Sequence, residues 1–261
     1  METAIASRPR AFVRVAGPEA ADYLQRMLSN DIAGLAPGDS CDALLLTPKG
    51  RVLAPVRVVR RVSENYLLLT EPELGETVRA TLVQSRFAAK AEIELEEHRS
   101  FVLLGTADGG IRNEDYGVPA VEVLDEDPPA ARALSEEELE ALRIAAGTPR
   151  FGREIDERVL PAEAGLVERA VSLTKGCYPG QEPIARLHYR GHANRGLRVL
   201  RIEAVEPPPA EAEVHYGDKV VGRVTSAART DGDVVALAFV RAEVPADAEL
   251  EVGSAVARPL H

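Results

Sequence analysis

The stretch Lys175-Gly176-Cys177-Tyr178-Pro179-Gly180-Gln181-Glu182-Pro183-Ile184-Ala185-Arg186 constrains this chain most. Two glycines within five residues, with Pro179 between Cys177 and Gly180, rule out a continuous helix or strand and dictate a tight turn where backbone can approach a ligand closely. A helix is expected to follow, beginning around Gly180 to Pro183 and running from roughly Gln181 to His188. Cys177 is one of only two cysteines. The nearby Lys175 and the start of that helix would both favour its thiolate, the reactive form. The competing reading makes Cys177 a small apolar plug, with Gly176 and Gly180 merely shaping the turn. The density of Lys175, Gln181, Glu182 and Arg186 around it favours a site.

A chain of 261 residues with 45% apolar content can bury a substantial core and is expected to divide into two or three compact units. Met1 to Arg10 lacks a signal-peptide core and no later run is long and apolar enough for a membrane span, so a cytoplasmic protein without membrane contact is expected. Cys41 and Cys177 do not make a disulfide framework, and reduced thiols follow. No metal site is expected, since two cysteines are too few for an autonomous zinc or iron–sulfur centre even with His188, His192 and His215 nearby. The formal charge of −11 argues against direct nucleic-acid binding by the surface as a whole. Locally the balance reverses: from Lys175 to Arg201 six bases face the single acid Glu182, a net of +5. Those bases either bind an anion or alternate on a solvated face.

Periodicity gives a strand over Ala11–Ala16, a helix opened by Pro18 and carrying Tyr23, Leu24, Met27 and Leu28, and an antiparallel meander of Ala43–Leu46, Val52–Val62 and Tyr66–Thr70. Leu74, Val78 and Leu82 mark a second helix, and two strands follow around Ile93–Leu95 and Phe101–Leu104. Asp125-Glu126-Asp127-Pro128-Pro129 reads as a linker. Ser135 and Glu138 form a capping box for a helix closed by Gly147. After Pro207-Pro208-Pro209, short strands at Val214, Val220–Ser226, Val234–Val240 and Leu250–Val252 read as a small β-barrel. The class is α+β, with boundaries at 1–125, 126–196 and 197–261.

The signature Lys175-Gly176-Cys177-Tyr178, Gly180-Gln181-Glu182, Ala185-Arg186 and Arg190-Gly191 closely resembles that of the YgfZ family, relatives of the glycine-cleavage T-protein (GcvT). The likeness extends through Gly17-Pro18-Glu19-Ala20, Ser29-Asn30-Asp31, Thr47 to Gly50 and Pro161-Ala162-Glu163-Ala164-Gly165-Leu166. It implies a GcvT/YgfZ-like arrangement of two mixed α/β units and a C-terminal β-barrel around a central channel that takes tetrahydrofolate or a derivative. It further implies an accessory protein supporting assembly or repair of iron–sulfur clusters in client enzymes, including tRNA-modifying ones, with those clients or assembly proteins as partners. In that reading Cys177 is the functional thiol and Lys175 tunes it. Gly176, Tyr178 and Gly180 shape the loop, Gln181 and Glu182 orient it, and Arg186 and Arg190 supply positive charge for a folate tail or an acidic partner. Asn30, Asp31, Glu163, Tyr189 and Arg190 are the residues expected at the folate. The alternative is a tetrahydrofolate-dependent aminomethyltransferase or demethylase acting on a small amine. Against it, the aminomethyltransferase branch carries aspartates after its glycine turn, whereas this chain reads Val52-Leu53-Ala54-Pro55 there, and a pterin-holding glutamate is replaced by Ala145.

Overall fold

Strands dominate because apolar β-branched and leucine-rich runs alternate with short glycine or charged turns. In the computed structural model, which describes residues 3–127, 129–230 and 232–260, they build two five-stranded sheets and one closed barrel. Pro128 of the expected linker, and Met1 and Glu2 of the segment read as lacking a signal core, lie outside the described residues.

The first half of the chain runs β1 (Ala4–Ser7), β2 (Ala11–Ala16), α1 (Ala20–Met27), β3 (Ser40–Leu46), β4 (Val52–Val62), β5 (Asn65–Thr70), α2 (Gly75–Ser85), β6 (Glu92–Glu96), β7 (Ser100–Leu104), β8 (Ile111–Asn113) and β9 (Ala120–Leu124). Then come β10 (Arg132–Ala133), α3 (Glu136–Ala145), a single-turn α4 (Val167–Ala170) and α5 (Gln181–Arg190). The barrel strands are β11 (Arg195–Ile202), β12 (Glu213–Tyr216), β13 (Lys219–Arg229), β14 (Val234–Arg241), β15 (Leu250–Val252) and β16 (Ala255–Pro259).

One sheet has the order β3-β4-β5-β2-β6 and holds the expected meander, with α1 and α2 packed on it through Tyr23, Leu24, Val78 and Leu82. The other has the order β10-β1-β7-β9-β8 and is backed by α3 through Leu139 and Leu142. The chain therefore enters the second sheet at β1, leaves it to build the first, and returns. The charged break at Asp125–Asp127 falls between two strands of one sheet, β9 and β10, rather than between separate bodies. The barrel closes in the order β11-β14-β13-β12-β15-β16 over a core of Val214, Val224, Ala236 and Leu250.

Helix boundaries follow local chemistry. Ser135 accepts from the Glu138 amide at 3.1 Å while the Glu138 carboxylate accepts from the Ser135 amide at 2.8 Å, the expected capping box. Gly147, at φ +74, ends α3 with its amide on Ile144 and that of Thr148 on Arg143. Pro18 does not open α1: it lies in a turn and the helix begins two residues later, with Glu19 as its cap. Strands β1, β8, β9 and β10, and β11 and β16 of the barrel, were not visible in the periodicity; among them, short strands with buried polar members such as Glu122 break the alternation.

Candidate functional site

The signature loop is anchored glycine to glycine against the turn after β3. Gly180 has φ +82, and a Cβ on it would stand 2.6 Å from the Thr47 carbonyl and 2.9 Å from Gly50 Cα. Gly50, at φ +72, likewise faces the Gly180 carbonyl and Pro183 at 3.2 Å. The close backbone approach expected of these glycines is thus to another turn. Gly176 has open space around it. This contact launches α5 as expected and leaves Cys177 exposed on the loop.

Lys175 turns inward. Its ammonium donates to the Leu28 carbonyl at 2.6 Å and the Asn30 carbonyl at 2.8 Å, just past the C-terminus of α1 where the helix dipole is negative. It also lies 5.1 Å from the centre of the Tyr178 ring. Burial lowers its pKa to about 8, only partly opposed by Asp31. Tyr178 is buried, with a hydroxyl that has no hydrogen-bond partner among the described residues, and burial pushes its pKa up to about 12. Burial, with Asp42 and Asp31 adding to it, also pushes the half-buried Cys41 thiol up to about 12. No hydrogen bond joins Lys175 to Cys177 among the described residues, so the lysine holds the loop onto α1. Lys175→Met is expected to cost about 1.5 kcal/mol of stability, the low end for charge-assisted hydrogen bonds because the group is half exposed; urea unfolding measures it.

The other expected residues are dispersed. Asn30 donates from its side chain to the Asp42 carbonyl at 2.7 Å and the Arg169 carbonyl at 3.5 Å. Asp31 is exposed and accepts from Gln25 at 3.0 Å. Glu163 accepts from the Leu160 amide at 2.9 Å and from Arg195 at 3.1 Å, tying its loop to β11. Gln181 is half-buried, and Glu182, Arg186, Tyr189 and Arg190 are exposed on α5. Within the basic run, Arg195 pairs with Glu163, Arg201 with Asp233 at 2.9 Å, and Arg198 donates to the carbonyls of Val244 and Pro245. The local excess of positive charge is therefore smaller in the fold than in the sequence.

A cavity of about 440 Å³ lies between the two sheets and α3. Its charged wall went unread in the sequence. Arg57 bonds Asp42 at 2.8 Å and Asp115 at 3.2 Å, and Arg169 bonds the same two carboxylates. Arg10 bonds Glu122 at 3.1 Å, and Arg8 bonds Glu71 at 2.6 Å. Burial opposes ionisation of Asp115, but Arg57, Arg169 and Arg10 outweigh it and hold the carboxyl well below the usual range. Arg10 and Arg57 do the same for the fully buried Glu122. At another corner Arg143 joins Glu140, Glu154 and Ser226 of the barrel. Arg150 is the loosest cation of the wall, half-exposed, with Glu71 and Glu140 both at 3.8 Å. Pro55, Val56, Leu44 and Leu166 supply apolar surface. Where the aminomethyltransferase pattern has aspartates, Ala54 is buried and Pro55 meets the cavity.

None of the thirteen residues expected at the site lines this cavity, but a short relay links the two. Lys175 holds the Asn30 backbone, and the Asn30 side chain holds the backbones of Asp42 and Arg169, whose side chains form the wall. The signature of such an arrangement was present in the sequence: Arg57 inside an apolar strand, and Glu122 between Val121 and Val123.

No family model matches the chain. Among curated proteins, the tRNA-modifying protein YgfZ of Edwardsiella ictaluri is 29% identical over 92% of this chain and 85% of its own length. That of Serratia proteamaculans is 26% identical over 96% and 88%, and an uncharacterized protein of Haemophilus influenzae is 26% identical over 84% and 82%. The chain is thus similar to YgfZ proteins along most of its length. Its fold matches that of the glycine cleavage system aminomethyltransferase T of Bartonella henselae, with a TM-score of 0.86 at 18% identity, over all of this chain and 85% of the other. For this YgfZ-like chain the expected architecture, two mixed units and a closed barrel, stands. Among the described residues no helix is long and apolar enough to cross a membrane.

Proposed function

We propose that this protein is a cytoplasmic, folate-binding accessory protein that supports assembly or repair of iron–sulfur clusters in client enzymes, tRNA-modifying ones among them. The observation that carries the reading is the 440 Å³ cavity and its relay to the signature loop. Its size falls in the range of small-molecule sites, roughly 300–1,000 Å³. Its lining suits a reduced folate: the Asp42 and Asp115 carboxylates accept from pterin N–H groups, Pro55 and Leu166 cover an aromatic ring, and Arg150 meets the carboxylates of the glutamate tail. When bound, a reduced folate supplies ring nitrogens able to carry one-carbon units. Asn30 acts from behind the wall. Cys177 is the functional thiol, exposed where a client can reach it, and Lys175 positions its loop. A cluster in transit would take its remaining ligands from the client, since this chain offers one exposed thiol. Gln181 and Glu182 orient the start of α5, and Arg186, Tyr189 and Arg190 face the client. Asp31 and Glu163 brace the two loops through Gln25 and Arg195. The Pro55–Val56 wall offers no proton-handling group at the aminomethyltransferase position, which weighs against that chemistry.

Isothermal titration with tetrahydrofolate is expected to show one site per chain, weakened about tenfold by Arg150→Glu. Cys177→Ser is expected to leave that titration and the unfolding midpoint unchanged, yet fail to restore iron–sulfur enzyme activity in a strain deleted for its own relative. Full restoration by Cys177→Ser removes the thiol from the mechanism, and absence of tetrahydrofolate binding to the wild type removes the cofactor.

A further inference from the structure

On α1 and the turn after α2, apart from the cavity and the signature, an aromatic side chain stands fully in solvent on a backbone conformation that bulky residues avoid. Phe87 has φ +49 and is 93% exposed. A non-glycine residue in the left-handed region is disfavoured unless its surroundings impose it, and such positions gather at functional sites. Here they impose it: the Ala89 amide donates to the Arg86 carbonyl at 2.9 Å, Arg86 donates from its side chain to the Ala91 carbonyl at 3.1 Å, and the Tyr23 hydroxyl donates to the Leu82 carbonyl at 2.5 Å beneath. The ring gains no burial in return.

Beside it opens a groove of about 580 Å³ between the end of α1 and this turn, with Tyr23, Met27, Ala88 and Ala89 as its apolar surface. Arg26 and Arg86 line the groove together with Phe87, and the exposed Lys90 follows three residues after the ring. Among the described residues none of them has an ion-pair partner, although most arginines of this chain are paired. Glu19, which also lines the groove, accepts from the Lys90 backbone amide at 2.9 Å.

We propose that this groove docks an acidic segment of a partner protein, whose carboxylates meet Arg26, Arg86 and Lys90 while an apolar side chain lies on Phe87 and enters the groove. Exposed aromatic anchors ringed by charge are the usual centres of protein interfaces. Three unpaired cations on a chain of net charge −11 are too thin a footprint for a phosphate backbone, which favours protein over RNA. The proposal stands apart from the folate reading.

The test uses the full chain and a short fluorescent peptide of glutamates flanking a leucine–phenylalanine pair, with a labelled single-stranded RNA of mixed sequence as the rival probe, both followed by anisotropy. The peptide is expected to bind, to weaken as salt rises, and to lose about tenfold in affinity in Phe87→Gly and in the double variant Arg26→Glu, Lys90→Glu. Phe87→Gly relieves the backbone, so its thermal midpoint is expected to rise by about 2 °C even as binding falls. A side chain with a purely structural role cannot give that opposite pair of changes. No detectable peptide binding, equal affinity in wild type and Phe87→Gly, a lowered midpoint in Phe87→Gly, or tighter binding of RNA than of peptide each overturns the proposal.

Discussion

Arg57→Ala is expected to destabilise the protein by about 3–5 kcal/mol, because removing one member of a buried ion network leaves charges that water cannot reach. Arg57 is buried and contacts three carboxylates: Asp42 at 2.8 Å, Asp115 at 3.2 Å and Glu122 at 3.8 Å. Arg169 and Arg10 remain for those acids after the substitution, but Arg10 already serves Glu71 and Glu122. Among the described residues the other cations of the wall are already engaged: Arg8 with Glu71, Arg143 with Glu140 and Glu154, and Arg150 with Glu71 and Glu140. In urea unfolding the loss appears as a lower midpoint with little change in slope. A loss under about 1 kcal/mol would mean that the network re-pairs, and the wall would then be far more adaptable than its geometry implies.

The same network sets the acid limit. Asp115, Glu122, Glu71 and Glu140 all have folded-state pKa values below their ordinary ones, burial being outweighed by neighbouring arginines. The unfolded chain therefore binds more protons than the folded one once the pH drops to about 4, the range in which free carboxylates titrate. Stability from these groups is complete above that range and is lost as pH falls through it towards the folded values. In Arg57→Ala the depression is relieved in part, so the stability gap between variant and wild type narrows as the solution is acidified below about pH 4.

How much of this was legible in the sequence depended on what each residue interacts with. Local devices were readable: the Ser135–Glu138 cap, the glycine that ends α3, the turn and helix around Gly180, and four of the six barrel strands all follow from short-range chemistry. Non-local pairing was not. Arg57 and Asp115 lie 58 residues apart and Arg169 and Asp42 lie 127 apart, so nothing in the neighbourhood of either partner announces the other. Their trace was a charge embedded in an apolar strand, as at Arg57 and Glu122, which costs too much to bury without a partner. The charge balance of the basic run from Lys175 to Arg201 changes in the fold for the converse reason. Its arginines find acids and carbonyls at a distance, leaving only Arg186 and Arg190 unpaired among the described residues of that run apart from the carbonyl-bound Lys175 and Arg198. Asn30, expected at the folate on resemblance alone, sits behind the cavity wall and holds the backbone of two residues that line it.

Gly180→Ala is expected to destabilise by about 3 kcal/mol, combining left-handed strain with overpacking, each worth about 1–3 kcal/mol. At φ +82 an alanine is strained whatever space surrounds it. Its Cβ would also meet the Thr47 carbonyl at 2.6 Å and Gly50 Cα at 2.9 Å, both backbone atoms that no rotamer change can move. The Thr47–Gly50 turn cannot easily retreat, since it is closed by the Gly50 amide on the Thr47 carbonyl and the Thr47 amide on the Arg51 carbonyl, both at 2.9 Å. Relief requires the signature loop to lift away, carrying Cys177 with it. Gly176→Ala in the same loop meets nothing within 4 Å and is expected to change stability by less than about 0.5 kcal/mol. Urea unfolding of the pair, together with restoration of iron–sulfur enzyme activity by each in a deletion strain, separates the two glycines: Gly176→Ala should support activity and Gly180→Ala should not, although both retain the thiol. Equal behaviour would show that the glycine-to-glycine contact does not hold the loop in place.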